Sequence, residues 1–437
     1  MRGTASLVAV AILLLLAAIA ALAPWLMPDQ DGTAVRIAAA AIFVASYAAL
    51  AIGKVPGLSI DRAGVALVGA CLMVASGAMP LADAYKAVDF DTITLLLGMM
   101  IVVANLRLSG FFALATAWVA RRAHRPPVLL AAIVAVSGLF SAFLVNDAIC
   151  LVLAPLVVEL TVGLRRNPLP YLLAVAMASN VGSTATITGN PQNIMIGSFS
   201  HIPYAAFAAA LAPVALAGLV LTVVLLMLLY RSEFRGGDRL EPRLPRVRAN
   251  RVLVLRALAA TAVLVALFFA GQPPAKAAIV IGALLLLTRR VKSARVYAEI
   301  DWSLLLMFTG LFIIVAGAER VLLTSATVQD VGHWHLASVP VLSLLTAALS
   351  NLVSNVPAVL LLKPFVAALP DTATAWKVVA MASTLAGNFT MLGSIANLIV
   401  VEKAARRGIV IGFWDYFRVG APLTVLTILL GTLWLMR

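Results

Sequence analysis

The sequence predicts an all-α polytopic membrane protein of about 11 transmembrane helices plus two re-entrant helical hairpins. They are arranged as two inverted-topology repeats with broken helices. Composition is the first observation behind this: 63% of the 437 residues are hydrophobic and 11% charged. Apolar runs of about 18 residues or more recur, the length that crosses a bilayer as a helix. Strand alternation is absent, so helices are the spanning element. The second observation is duplication. Residues 140–155 return as 349–364, with Ser141, Asn146 and Pro155 falling on Ser350, Asn355 and Pro364. Residues 178–194 return as 382–398, with Thr186, Gly189 and Asn193 falling on Thr390, Gly393 and Asn397. The third is the placement of Arg and Lys, which orients the spans.

Taken in order, 4–27 reads as a retained first helix, although Ala21-Leu-Ala23 resembles a signal-peptidase site. An N-terminal helix region, 1–33, then precedes repeat 1, 34–230. Its spans are 34–52, 63–79, 91–106, 169–199 and 204–230, with a hairpin over 126–164. A basic linker, 231–251, leads to repeat 2, 252–437. There the spans are 252–271, 273–288, 302–318, 376–401 and 416–436, with a hairpin over 339–369.

The stretch 231–256 holds eight Arg against Glu233, Asp238 and Glu241, which places it in the cytoplasm. Arg121, Arg122, Arg125, Arg165 and Arg166 follow on that side. So do Arg289, Arg290, Lys292, Arg295, Lys403, Arg406 and Arg407. The first hairpin therefore enters from the cytoplasm, with Asn146 and Asp147 at its tip. The second opens on the outer side. The N-terminus lies inside, and the C-terminus outside, a bacterial-type cytoplasmic (inner) membrane.

A third match, 89–98 with 301–310, sets Asp89 outside and Asp301 inside, so the halves run in opposite directions. Segments 109–121 and 319–329 read as interfacial arms linking span to hairpin.

Other classes recede. A net charge of +14 would suggest nucleic acid in a soluble chain, but here it sits in short loops between spans, so no nucleic-acid partner is expected. Cys71 and Cys150 form no metal or disulfide framework. His124, His201, His333 and His335 lack the companions of a metal site. No HExxH, GxSxG or Walker pattern is present, so neither an enzyme nor an ATP-driven pump is expected. No cofactor is implied.

Paired polar interruptions in two halves point to a secondary transporter's binding site. In the first interruption Gly189 and Pro191 break the helix. Asn180, Gly182, Ser183, Thr184, Thr186, Thr188, Asn190 and Asn193 surround that break. In the second, Ser383, Gly387, Asn388, Thr390, Gly393, Ser394 and Asn397 do the same. Hydroxyls and amides there can donate to an oxyanion or accept from a cation. Helix ends left free by a break add partial charges. The bland alternative is that Gly, Ser and Thr merely let helices approach.

The hairpin tips add Asn146, Asp147, Ser354 and Asn355. A carboxylate at the bilayer centre costs about 2.5–3.5 kcal/mol on insertion scales. Asp147 is thus a proton carrier or a cation ligand, or else it caps the second arm of its hairpin. Its counterpart Val356 cannot titrate. Lys363 is read as snorkelling to the interface. Glu159 is read as pairing with Arg165 or Arg166.

From 34 to the C-terminus these residues resemble the ion-transporter superfamily of arsenite permeases, divalent-anion/sodium symporters and citrate-transporter-like permeases. They are most similar to bacterial anion permeases of the arsenite-permease branch. The dicarboxylate branch carries Ser-Asn-Thr at each tip, whereas here the tips read Val145-Asn146-Asp147 and Ser354-Asn355-Val356. The resemblance implies a homodimer built through a scaffold domain. It also implies elevator-type transport of a small inorganic or di/tricarboxylate anion, coupled to H⁺ or Na⁺. A Na⁺/H⁺ antiporter, an arsenite efflux permease and an anion channel are the alternatives.

Overall fold

The computed structural model describes residues 17–19, 32–52, 59–235, 249–322 and 335–437. Most of the first helix, the bulk of the basic linker, His333 and the end of the second arm lie outside these residues. Every regular element among the described residues is a helix. Eight of those helices are long and apolar enough to cross a membrane.

The first half runs α1 (Thr33–Ile52), α2 (Arg62–Ala75), α3 (Leu81–Ala87), α4 (Phe90–Ser109), α5 (Phe111–Arg122), α6 (Pro126–Phe143), α7 (Asn146–Gly163), α8 (Pro168–Ser183), α9 (Pro191–Ser200), α10 (Tyr204–Leu229) and α11 (Arg231–Phe234). The second runs α12 (Arg251–Phe269), α13 (Pro274–Leu286), α14 (Ser293–Tyr297), α15 (Trp302–Leu322), α16 (Val339–Val353), α17 (Asn355–Ala367), α18 (Thr372–Ala386), α19 (Ile395–Ala405) and α20 (Phe413–Leu435).

Local chemistry sets these boundaries. Asp61, Asp89, Asn167, Asn190, Asn250 and Asp371 each accept a backbone N–H in the first turn of the helix they precede. Proline opens α6, α8, α9, α13 and α16, where its missing N–H costs nothing. Gly110, at φ 83°, turns the chain from α4 into α5.

The expected span 63–79 is shorter, because α2 stops at Ala75 and Ser76 donates its N–H to Leu72 O. The spans 169–199 and 376–401 are each split, as α8/α9 and α18/α19. The expected hairpins are helix–break–helix units. Each arm of the first, 18 residues, is itself long enough to cross a bilayer; those of the second have 15 and 13 residues.

The halves interlock by repeating contacts. Helix α2 packs on α15, and α13 packs on α4. In the first pair Gly310 lies against the Ala66 backbone; in the second Gly98 lies against the Ala278 backbone. A Cβ on either glycine would fall 2.5 Å from the opposing carbonyl carbon. In lipid, where apolar burial drives no helix association, such close approach supplies the dispersion that holds helices together. The hairpin arms α6 and α16 pack on the broken-helix segments α8 and α18, and α10 and α20 pack on each other behind them.

Candidate functional site

The two broken helices pack against each other, and their polar residues bind one another in a swapped pattern. Asn180, on α8, accepts from Ser394 Oγ at 3.1 Å and donates to Asn397 Oδ1 at 3.0 Å, both beside the second break. Thr384, on α18, accepts from Asn190 Nδ2 at 3.1 Å and donates to Asn193 Oδ1 at 3.4 Å, both beside the first. Asn180 also donates to Asn388 Oδ1 at 2.9 Å, and Gln192 Nε2 donates to Thr384 Oγ1 at 3.2 Å. The tip of the first hairpin joins through Asn146 Nδ2, which donates to Asn180 Oδ1 at 3.0 Å.

Each break is closed on itself by an asparagine. Asn193 Nδ2 donates to Ser183 O and Thr186 O at 3.1 and 3.0 Å. Asn397 Nδ2 donates to Gly387 O and Thr390 O at 2.7 and 3.2 Å. These carbonyls are orphans of the interrupted ladders. The glycines make the folding-back possible: a Cβ on Gly189 would strike Ser183 O, and one on Gly393 would lie 2.9 Å from Gly387 O. Gly182 gives the same freedom against Gly138 of α6.

The predicted residues therefore divide. Several polar groups are spent inside the protein. Ser183 and Thr184 hydroxyls donate back to Asn180 O, and Ser383 donates to Ala380 O. Thr186 Oγ1 donates to Ala142 O, and Thr188 bonds the Tyr204 hydroxyl at 2.8 Å. Asn388 Nδ2 donates to Met177 O.

What faces open space is narrower. A small central cavity is lined by Asn146 and Asp147 at the start of α7, Pro191 and Gln192 at the start of α9, Ser354, Asn355 and Val356 at the start of α17, and Ser394 and Ile395 at the start of α19. Four helix N-termini thus converge on it, each with its free N–H groups and partial positive charge. Ser354 stands at φ 79°, ψ 158°, backbone that non-glycine residues rarely adopt and that concentrates at functional sites.

The hairpins also hold buried oxygens with no hydrogen-bond partner: Ser137 Oγ, Ser141 Oγ and Asn146 Oδ1 in the first, Thr346 Oγ1, Ser350 Oγ and Asn355 Oδ1 in the second. These occupy equivalent places in the two hairpins. A buried oxygen without a donor is a group that water or a cation would satisfy.

Sequence reading missed Gln192, Thr384, Leu304 and the charged residues around Asp147. Thr384 was visible as the counterpart of Asn180 in the duplicated segment. A second cavity beside Asp147 is lined by Arg107, Glu299, Asp301 and Leu304 among others. Glu299 and Asp301 bring further carboxylates to the cavity of Asp147 from a segment far away in sequence.

Two pairings differ from expectation. Glu159 binds Arg407 at 2.7 Å, because its face of α7 packs on α19. Arg166 binds Glu233 at 2.8 Å, joined by the Tyr171 hydroxyl. Lys363 is half-buried, with its ammonium 4.7 Å from the centre of the Phe199 ring.

The citrate transporter family profile matches residues 47–386. An uncharacterized transporter of Mycobacterium tuberculosis is 30% identical over 425 residues, covering 91% of this chain and 97% of the relative. A silicon efflux transporter of Oryza sativa subsp. japonica is 29% identical, covering 86% and 93%. The inner membrane protein YbiR of Escherichia coli is 31% identical, covering 79% and 87%. The fold is similar to that of the YdaH transporter of Alcanivorax borkumensis, with a TM-score of 0.55 at 15% identity over 92% of this chain and 97% of that one. The chain is a multi-pass membrane transporter, not an enzyme, and belongs to the citrate transporter family.

Proposed function

We propose that the protein is a secondary active transporter that moves a small anion across the cytoplasmic membrane, coupled to H⁺ or Na⁺. The convergence of four helix N-termini on one cavity carries this reading. Aligned backbone dipoles favour a negative guest there without a lysine or arginine that would trap it. Asp147, on the same cavity, is the coupling residue. The unpartnered oxygens of Ser141, Asn146, Ser350 and Asn355 support cation sites beside the anion.

The twice-made Gly–Ala contact and the swapped Asn180 and Thr384 bonds support two inverted repeats, 34–230 and 252–437. Alternating access then follows from exchange of the two halves' conformations. In this reading the hairpins and broken helices move in elevator fashion against a scaffold of α1–α4 and α12–α15. The hairpins are re-entrant, the N-terminus is inside, the C-terminus is outside, and the protein is a homodimer.

The test is flux in proteoliposomes with sulfate, phosphate, succinate, citrate, arsenite and silicic acid, the last because one relative is named for silicon efflux. A pH or Na⁺ gradient of either direction is imposed, with wild type beside Asp147→Asn. Gradient-driven flux of an anion that the variant loses supports the reading. Such flux of silicic or arsenious acid, both uncharged at neutral pH, keeps the coupled transporter and replaces the anion by a neutral solute. Asp147-dependent Na⁺/H⁺ exchange without any such flux replaces it by an antiporter, and flux indifferent to both gradients replaces it by a channel.

A further inference from the structure

Asp147 lines two cavities at once. One is the central cavity between the helix starts. The other lies between α4, α7, α19 and the segment entering α15. Leu304 is also shared, so the Asp147 and Leu304 side chains form the wall between the two spaces.

The second cavity is charged in an uneven way. On α4 it carries Arg107, and on the segment before α15 it carries Glu299 and Asp301. The linings from α7 and α19, Asp147 apart, are apolar: Ala148, Leu151, Val152 and Ile399 among them. Arg107 is ion-paired to Glu299. Asp301 Oδ1 accepts from Leu304 N at 3.0 Å and caps α15, while its second oxygen has no such task. With Arg107 matched by Glu299, the carboxylates of Asp147 and Asp301 line this space with no further cation among its lining residues.

Beyond the wall two buried side-chain oxygens are open to a cation. Asn146, 3% exposed, and Asn355, 8% exposed, both line the central cavity and leave Oδ1 without a donor. The carboxylates of the second cavity suit a small cation and oppose an anion, and the two carbonyl oxygens beyond the wall can receive that cation beside the helix N-termini that hold the anion.

We propose that the second cavity is a cation passage, separate from the anion route. It carries the coupling cation, a hydrated proton or a sodium ion, between Asp147 and the water beyond Arg107 and Glu299, and it rejects the anionic cargo. Asp301 sets the sign of the passage. Glu299 is a positioning residue that holds Arg107 away from Asp147. The proposal rests on reading Asp147 as the coupling residue.

The experiment is charge-selective thiol labelling of the purified full chain in detergent, which needs no cargo. Ala148→Cys places a thiol on the passage wall, in a Cys71→Ser background; Cys150 is wholly buried and stays. Aminoethyl and sulfonatoethyl methanethiosulfonates are compared, each rate divided by its rate with 2-mercaptoethanol. The cationic reagent is expected to win by about tenfold, as an acidic cleft concentrates cations. Asp301→Asn, which keeps the helix cap, should cut that preference several-fold, and Arg107→Gln should raise it. Val152→Cys repeats the test if Ala148→Cys does not give a monodisperse protein.

Equal rates, or a faster anionic reagent, overturn the proposal. Slowing of the cationic reagent by Na⁺ but not by choline, at constant pH and ionic strength, identifies sodium as the guest. Slowing only on acidification, with Na⁺ without effect, identifies the proton. Coupled flux in vesicles with no labelling preference sinks the passage alone. A labelling preference in a protein whose flux ignores both gradients sinks the coupling role of Asp147, and the passage's role with it.

Discussion

Asn193 and Asn397 make the same two hydrogen bonds in two different broken helices. Each amide donates to the carbonyls ten and seven residues earlier in its own chain segment, Ser183 and Thr186 for one, Gly387 and Thr390 for the other. Their oxygens are engaged as well, by Thr384 and by Asn180 of the opposite half. Both residues thus fasten the breaks.

Asn193→Ala and Asn397→Ala should therefore fail first in stability. Each orphans two carbonyls, at about 1–3 kcal/mol per group. The expected result is a clear fall in melting temperature in detergent, of similar size for both. Unchanged melting with transport abolished would instead make either residue part of the ligand site.

Ser141→Ala and Ser350→Ala should behave in the opposite way. Both hydroxyls are buried and unpartnered, so losing them removes a polar group that finds no hydrogen bond. In Na⁺-free buffer the variants should melt at or above the wild type. If the hairpins hold Na⁺, adding it stabilises the wild type, by about 2.7 kcal/mol at a hundredfold excess over the dissociation constant, and each variant loses part of that shift. A wild type whose melting ignores Na⁺ would remove sodium from these sites and leave the proton.

The fold class was legible because its signals are local and repeated. Apolar runs and the Gly- and Pro-bearing interruptions needed no tertiary knowledge, and Gly189 and Pro191 marked the break between α8 and α9. The site was legible only as a region. Thr186, Thr188 and Ser183 looked like donors for a guest, yet their partners, Ala142, Tyr204 and Asn180, are set by packing that periodicity does not reveal. Arg107 and Glu299 meet across 192 positions of sequence, a contact that only the interlocking of α4 with the second half creates.

The glycines of the scaffold give a prediction about the interlock itself. Gly98→Ala and Gly310→Ala press a methyl into the backbone of Ala278 and Ala66. Overpacking of that kind costs about 1–3 kcal/mol, and both should lower the melting temperature by similar amounts. Gly163→Ala is the control, since a Cβ there meets nothing within 4 Å, and a helical Gly→Ala change gains about 0.5–1 kcal/mol. If Gly98→Ala matched Gly163→Ala, the close approach of α4 to α13 would not be a source of stability.

Asp371 ties the start of α18 to pH. Its carboxyl is held below the ordinary value of 3.8, first by the backbone N–H of Thr374, 2.9 Å away, and further by the Lys377 charge. A carboxylate whose pKa is lower folded than unfolded adds stability that is complete above the unfolded value. That stability is lost as pH falls through the folded value. The group is exposed, so solvent screening keeps the contribution below about 1 kcal/mol. Asp371→Asn keeps an acceptor for the Thr374 N–H and should match the wild type at neutral pH to within about 0.5 kcal/mol. Unlike the wild type, it should not lose this increment below about pH 4. Thermal melts of both proteins from neutral to acid pH check this. Parallel curves would mean that α18 gains nothing from the charge, and that the cap works through its hydrogen bond alone.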